Sequence, residues 1–259
     1  MMDNNTLEFS HPRLVSVFDT VNPIGTYRDF YTTLLDTLSA KDIVDFGCGT
    51  WLLTMACSTS ERKITGIDPS RELIQQAKQR DTDNRINWVV ASRFDDLPDA
   101  SVDIVLLSGH VAQFLTDEES WQRFLAWASR VLRNWGYLLF ESRNPHIEPF
   151  QNWPNRDYPK RFDNSPEWPF SWWWKGGEWA KNIFTYSLMY AFESPKEIVE
   201  SPMSLIFRTK EAILSDAQKH GFILKNLFWD WDFRDFSGSS EEMIFLMETV
   251  HPSPWRVFI

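Results

Sequence analysis

Ile43-Val44-Asp45-Phe46-Gly47-Cys48-Gly49-Thr50-Trp51 is an apolar run closed by an acid and two nearly adjacent glycines; a second apolar run then ends in another acid, Asp68, seventeen residues after Trp51. Glycine permits a tight turn and lets the backbone approach a ligand with no Cβ in the way. In an open parallel sheet, ligands bind beyond the carboxyl ends of the strands, where the first strand turns into its helix. Asp68 ends the second strand, where a carboxylate can accept both ribose hydroxyls of a nucleoside. A Gly-x-Gly alone also fits a plain strand-to-helix turn with a capping aspartate. Its position after strand one, with an acid closing strand two, points to a nucleotide-like ligand.

On either side of this stretch the chain alternates between strand and helix. Residues 11–20 and 27–39 have helical spacing, with Phe30, Leu34 and Leu38 on one face of the second segment. Strands are expected at Asp42–Phe46, Lys63–Ile67, Arg85–Val90, Val102–Leu107 and Gly136–Glu141. Helices are expected from 51, around 70–80, where Pro69 and Ser70 make a good start, and over 117–133. Such units predict an α/β, Rossmann-like fold: a mostly parallel seven-stranded sheet with helices on both faces. From 144 the pattern breaks into a Pro-, Asn-, Asp- and Trp-rich loop to 169, then Pro169–Trp174, a Lys175-Gly176-Gly177-Glu178 turn, Trp179–Phe192 and a third strand over Met203–Arg208. A Gly-Gly pair between aromatic strands is a hairpin signal. A helix near 210–219 capped by Gly221, and strands near 222–230 and 241–249, resume the alternation. The division expected is a core of 1–143 and 209–259 with an inserted β-rich cap at 144–208.

Composition narrows the function. At 259 residues and 43% hydrophobic, the chain can bury a full core. A net charge of −10 argues against a general nucleic-acid binder, which needs a basic surface. Two cysteines, Cys48 and Cys57, provide neither a disulfide framework nor a metal-ligand spacing. With no long apolar segment and no leader pattern, a cytoplasmic protein with no membrane partner and no metal is expected. Oligomeric state is open. Fourteen tryptophans, mostly after residue 120, exceed the needs of an ordinary core, so some are expected to line a ligand cavity.

The chain resembles the class I S-adenosylmethionine-dependent methyltransferases. Asp45-Phe46-Gly47-Cys48-Gly49-Thr50 looks like their first motif, and Asp68 matches their ribose-binding acid. Leu97-Pro98 with Val102-Asp103-Ile104-Val105 is similar to the approach to their fourth strand, and Arg130-Val131-Leu132-Arg133-Asn134-Trp135-Gly136 to the turn before their fifth. Ser108-Gly109-His110-Val111-Ala112-Gln113-Phe114, Glu141-Ser142-Arg143-Asn144-Pro145, Trp229-Asp230-Trp231-Asp232 and Ser240-Glu241-Glu242-Met243-Ile244 are similar to a bacterial branch that inserts a β-rich cap. The likeness runs over about residues 14–249. It implies S-adenosylmethionine as cofactor, held by Phe18, Asp45, Gly47, Cys48, Gly49, Asp68, Pro69, Ser92, Arg93, Phe94, Ser108 and Gly109.

Three positions depart from the family pattern. Trp51 stands where a third glycine is usual, and its indole either fills part of the cofactor cleft or packs under the helix. Trp135-Gly136 replaces a glycine pair. Ser92 stands where an acid near the adenine is common, and can bond an adenine amine without charge.

Methyl transfer needs donor and acceptor held in line, water excluded and sometimes a proton removed. The catalytic candidates are His110, as base or as a structural histidine tied to Glu141 or a carbonyl, and Arg143, as a clamp on a substrate anion or a salt bridge at the root of the cap. Gln113 can orient either. Phe18, Asn22 and Tyr31 are placed to close over the cofactor, Tyr31 otherwise serving as core. Trp168, Trp172, Trp173, Trp174 and Trp179 offer an aromatic wall, of which strand alternation lets only one subset face a cavity. The expected function is a methyltransferase for a small-molecule substrate under an aromatic cap. The alternatives are a relative that binds a ligand or partner without methyl transfer, and a nicotinamide dehydrogenase, whose fingerprint wants glycine where Leu52 stands.

Overall fold

The computed structural model describes residues 6–91, 97–147, 153–167 and 169–250. Three helices come first: α1 (Leu7–Ser10), α2 (Pro12–Val21) and α3 (Tyr27–Thr37). The core then runs β1 (Asp42–Phe46), α4 (Leu52–Ala56), β2 (Lys63–Asp68), α5 (Arg71–Arg80), β3 (Ile86–Val90), β4 (Val102–Leu107), α6 (Val111–Phe114), α7 (Glu118–Val131) and β5 (Leu132–Arg143). Strands β6 (Lys160–Phe162), β7 (Phe170–Ala180), β8 (Ile183–Glu193) and β9 (Lys196–Ile206) form a second sheet, after which α8 (Lys210–Lys219), β10 (Phe222–Phe228) and β11 (Glu242–Thr249) return to the core.

The central sheet has the order β10-β11-β5-β4-β1-β2-β3, with β11 antiparallel to both its neighbours and the remaining pairs parallel. This is the mostly parallel seven-stranded Rossmann-like sheet the sequence predicts. Its side chains alternate between two cores as strand periodicity requires. Val44, Val105, Leu138 and Phe245 pack on the side of α7 and α8; Ile43, Ile104, Leu139 and Ile244 pack on the side of α3, α4 and α5. Asp45 and Glu141, two residues along β1 and β5 from Ile43 and Leu139, share the second face. Local signals set the helix starts: Ser70 caps α5 by accepting the Leu73 N–H, Asp117 caps α7 and Thr209 caps α8.

The second sheet, ordered β6-β7-β8-β9, is antiparallel and forms the cap. Phe184, Leu188, Tyr190 and Phe192 of β8 share a buried cluster with Leu14 and Val17 of α2, so the N-terminal helices pack on the cap as well as on the core. Two expectations need correction. The hairpin does not turn at Gly176-Gly177: β7 continues to Ala180, the pairing register shifts between Lys175 and Glu178, and the chain reverses at Lys181-Asn182, with Lys181 at φ 60°. Gly176 and Gly177, at φ 78° and 117°, form a bulge, the other common use of glycine in a strand. The third long cap strand begins at Lys196, seven residues before the expected Met203. Among the described residues, no helix is long and apolar enough to cross a membrane.

Candidate active site

The strand order reverses between β1 and β4, and the loops after these two strands open side by side. Gly47, at φ 78°, leaves β1 with its own N–H and that of Cys48 donating to the Ile67 carbonyl (2.7 and 3.1 Å). A Cβ at Gly47 would lie 2.5 Å from the Val111 side chain, so this position excludes any larger residue on space as well as conformation. Gly49, at φ 59°, donates its N–H to Asp68 Oδ2 (3.0 Å), and the Ser70 N–H reaches Oδ1 (2.8 Å). Asp68 is 6% exposed; burial pushes its carboxyl up to about 6 against these two bonds. A carboxylate offers about four acceptor sites, so each oxygen keeps capacity for a ligand hydroxyl.

Trp51 keeps the backbone of the missing glycine. It sits at φ 121° as the N-cap of α4, a region non-glycine residues rarely enter. Its ring packs against the buried cluster around Leu53 and lies 5.7 Å from the Arg80 guanidinium, with the indole N–H buried and unpartnered. Thr50 and Leu52 line the cavity beside the loop; Trp51 does not. Thr50 donates to Asp19, which also pairs with Arg80, tying α2 to the loop.

The remaining sequence candidates fall into three groups. Phe18, Asn22, Gly47, Cys48, Gly49, Asp68, Pro69, Ser108, Gly109, His110 and Arg143 all line one cavity. Asp45 does not line it: 1% exposed, it accepts the Thr54 hydroxyl on Oδ2 (2.6 Å), leaves Oδ1 without a partner, and is pushed by burial up to about 7. Ser92, Arg93 and Phe94, with Trp168, lie outside the described residues. Burial pushes the Cys48 thiol well above its usual range, so it stays protonated.

Beyond β4 a buried network fixes the second loop. Gly109 and His110 both take left-handed backbone, at φ 69° and 61°. The His110 N–H donates to Glu141 Oε1 (2.6 Å), and the Tyr31 hydroxyl donates to Glu141 Oε2. Burial raises the Glu141 carboxyl above its ordinary value. The His110 ring Nε2 lies 2.9 Å from Glu242 Oε2. Burial opposes ionisation of Glu242, but the His110 ring and Arg143 outweigh it and hold that carboxyl low. Histidine is therefore anchored twice, by its backbone to Glu141 and by its ring to Glu242. Tyr31 is fully buried in this network and does not line the cavity. Arg143 donates to Gln113 Oε1 (3.0 Å) and lies 4.8 Å from the centre of the Trp153 ring; it makes no ion pair within 4 Å among the described residues.

The cavity measures about 1060 Å³ and passes from the glycine loop and Asp68, along Ser108–Val111 and Glu141, to the underside of the cap. Ligand sites commonly hold about 300–1,000 Å³, so there is room for two small molecules. Trp172 and Trp174 face it, with Trp153, Tyr186, Leu188 and Met203, while Trp173 and Trp179 do not. Two contributors escape sequence reading. Glu8 lies in a four-residue helix, too short for any periodic signal, and Glu242 shows its role only once β11 is paired with β5. No group of three or more His, Cys, Asp or Glu among the described residues could hold a metal ion.

Residues 44–140 match the family model of a methyltransferase domain. The structure superposes on the methyltransferase CcbJ from Streptomyces caelestis with a TM-score of 0.77, at 15% identity over 96% of this chain and 100% of that one. It superposes on an S-adenosylmethionine-dependent methyltransferase from Clostridium acetobutylicum with a TM-score of 0.74, at 12% identity over 92% of this chain and 98% of that one. An amino pentose methyltransferase from Micromonospora echinaspora, solved with S-adenosylmethionine bound, gives 0.68 at 12% identity over 90% and 97%. No curated protein matches the sequence significantly. The central stretch thus matches a methyltransferase domain, and the fold built around it is that of the class I S-adenosylmethionine-dependent methyltransferases.

Proposed function

We propose that this protein transfers a methyl group from S-adenosylmethionine to a small-molecule acceptor held beneath the aromatic cap. The observation that carries this reading is the continuity of the cavity: one space joins the Gly47–Gly49 loop and Asp68 to Trp172, Trp174 and Tyr186. The residues present suit the cofactor. The loop offers backbone at close approach, Asp68 has acceptor capacity left for ribose hydroxyls, and the carboxylate-rich floor suits a cationic ligand. Ser92, Arg93 and Phe94 are proposed for the adenine side, and Ser108 and Gly109 for the methionine side. When bound, the cofactor supplies a methyl group activated by a sulfonium.

The chain's own residues then position, shield and move a proton. Tryptophan and tyrosine rings under the cap exclude water and hold the acceptor against the donor, a positioning effect that supplies much of the rate in such displacements. His110 is the proposed base. With its Nε2–H given to Glu242, Nδ1 is the nitrogen left to accept a proton, and Glu242 stabilises the charged ring that results. Arg143, steadied by Gln113 and Trp153, is proposed to orient a polar group of the acceptor.

Calorimetric titration with S-adenosylmethionine and S-adenosylhomocysteine tests the reading. Saturable heat with a rise in melting temperature is expected; neither at millimolar ligand would overturn it. His110→Ala should keep cofactor affinity and lose about 10²–10⁴ in kcat, and unchanged turnover would remove it as the base.

A further inference from the structure

Glu8 is a charged group the methyl-transfer chemistry does not use, and it faces the acceptor cavity. It sits in α1, 2% exposed, held between core and cap. Its own N–H donates to Ser201 Oγ (2.9 Å) on β9, and the Tyr190 hydroxyl on β8 reaches both carboxylate oxygens (2.8 Å each). A hydroxyl carries one hydrogen, so the two contacts amount to one shared bond, and most of the carboxylate's acceptor capacity is unused. No cationic side chain pairs with it among the described residues, and burial pushes the carboxyl up to about 7. A buried carboxylate is stable only when protonated or matched by a cation.

The surroundings favour a cation arriving with the ligand. Trp172, Trp174 and Tyr186 share the cavity wall with Glu8, and aromatic faces attract cations. The other acids lining the cavity are supplied with donors: Asp68 by two backbone amides, Glu141 by Tyr31 and His110, Asp19 by Thr50 and Arg80, and the half-buried Glu72 by the Ser70 hydroxyl (3.5 Å). Arg143, a cation on the same wall, is held by Gln113 and over the Trp153 ring, and forms no ion pair with Glu8 among the described residues. Among the described residues, Glu8 is the buried acid of this wall that has neither a cation nor a backbone amide on its carboxyl.

We infer that Glu8 is the acceptor-recognition residue and that the acceptor is a small molecule with a basic amino group, bound as an ammonium ion against Glu8 and the aromatic wall. This rests on the methyltransferase reading for the word acceptor, but the binding site stands on its own geometry. The amino group is the handle by which the molecule is held.

The test is calorimetry on the full chain, saturated with S-adenosylhomocysteine, using matched probes that differ in one group. Phenethylamine is compared with phenethyl alcohol and phenylacetate, and methyl glucosaminide with methyl glucoside. At least one amine should bind about tenfold or more tighter than its alcohol. Glu8→Gln, which retains an acceptor for Tyr190, should abolish that preference while S-adenosylhomocysteine affinity is unchanged. Glu8→Ala, as a second variant, should lose it too. Equal or tighter binding of the alcohol or carboxylate, no binding of either amine, or a preference that survives both substitutions would overturn the inference. If S-adenosylhomocysteine itself fails to bind, the methyl-donor reading falls; the amine comparison is then run without it and judged by the same outcomes.

Discussion

Two tryptophans occupy positive-φ backbone of the kind that favours glycine, and the two indoles have opposite surroundings. Trp51 (φ 121°) lays its ring into the core beside Leu53, whereas Trp135 (φ 68°) is 58% exposed. Left-handed backbone costs a non-glycine residue about 1–2 kcal/mol. Trp135→Gly recovers this and forfeits little packing, so the variant should melt about 2–8 °C higher by scanning calorimetry. Trp51→Gly recovers the strain but removes a packed indole, so urea unfolding should show a net loss of about 1–2 kcal/mol. Because that ring points away from the cavity, S-adenosylhomocysteine affinity should stay within about twofold of the parent; a marked gain would mean the indole occupies the cofactor path. Sequence made the substitutions visible. The direction of an indole, by contrast, follows from which neighbours leave room for it.

At the scale of elements, Glu141 joins α3, the loop after β4 and β5 through the Tyr31 hydroxyl and the His110 amide. The left-handed Gly109-His110 turn depends on that anchor. Removing one side leaves a buried polar group without its partner, at a cost of about 1–3 kcal/mol. Tyr31→Phe and Glu141→Gln should each destabilise by that order in urea, and their double mutant by less than the sum, with a coupling of about 0.5–3 kcal/mol. Strict additivity would show that the two groups do not act as a unit. The β-α alternation that places these elements was readable from periodicity, as was the start of α5 at Ser70. The cap was less so. Gly176-Gly177 suits a turn and a bulge equally in sequence, and only pairing with β8 selects the bulge.

Across the whole molecule, buried acids set the pH response. Asp45 and Glu8 titrate at about 7 in the folded chain and Asp68 at about 6, above ordinary values of 3.8 and 4.5, with burial the main cause. An acid with a raised folded value binds its proton more tightly when folded. Its contribution to stability is complete below the unfolded value, near 4, and is lost as pH rises through 6 to 7. Asp81 and Asp103 act in the opposite sense. Backbone amides, joined at Asp103 by Arg133, overcome burial to hold them low, and their contribution is lost as pH falls through and below the ordinary aspartate range. The melting temperature should therefore peak near pH 5 and fall toward pH 8. Asp45→Asn, which can still accept the Thr54 hydroxyl, should flatten the fall; a melting temperature that climbs steadily from pH 5 to 8 would contradict this account.

The order of strands and helices, the glycine loop and the acid ending β2 follow from the sequence because periodicity, turn residues and caps act over a few neighbouring positions. The face that Trp51 presents, the partner of His110 on β11, the seclusion of Asp45 and the place of Glu8 in the cavity wall needed the tertiary structure. Each depends on groups that lie far apart along the chain: Glu8 meets Tyr190, and His110 meets Glu242, only where the folded sheets bring them together.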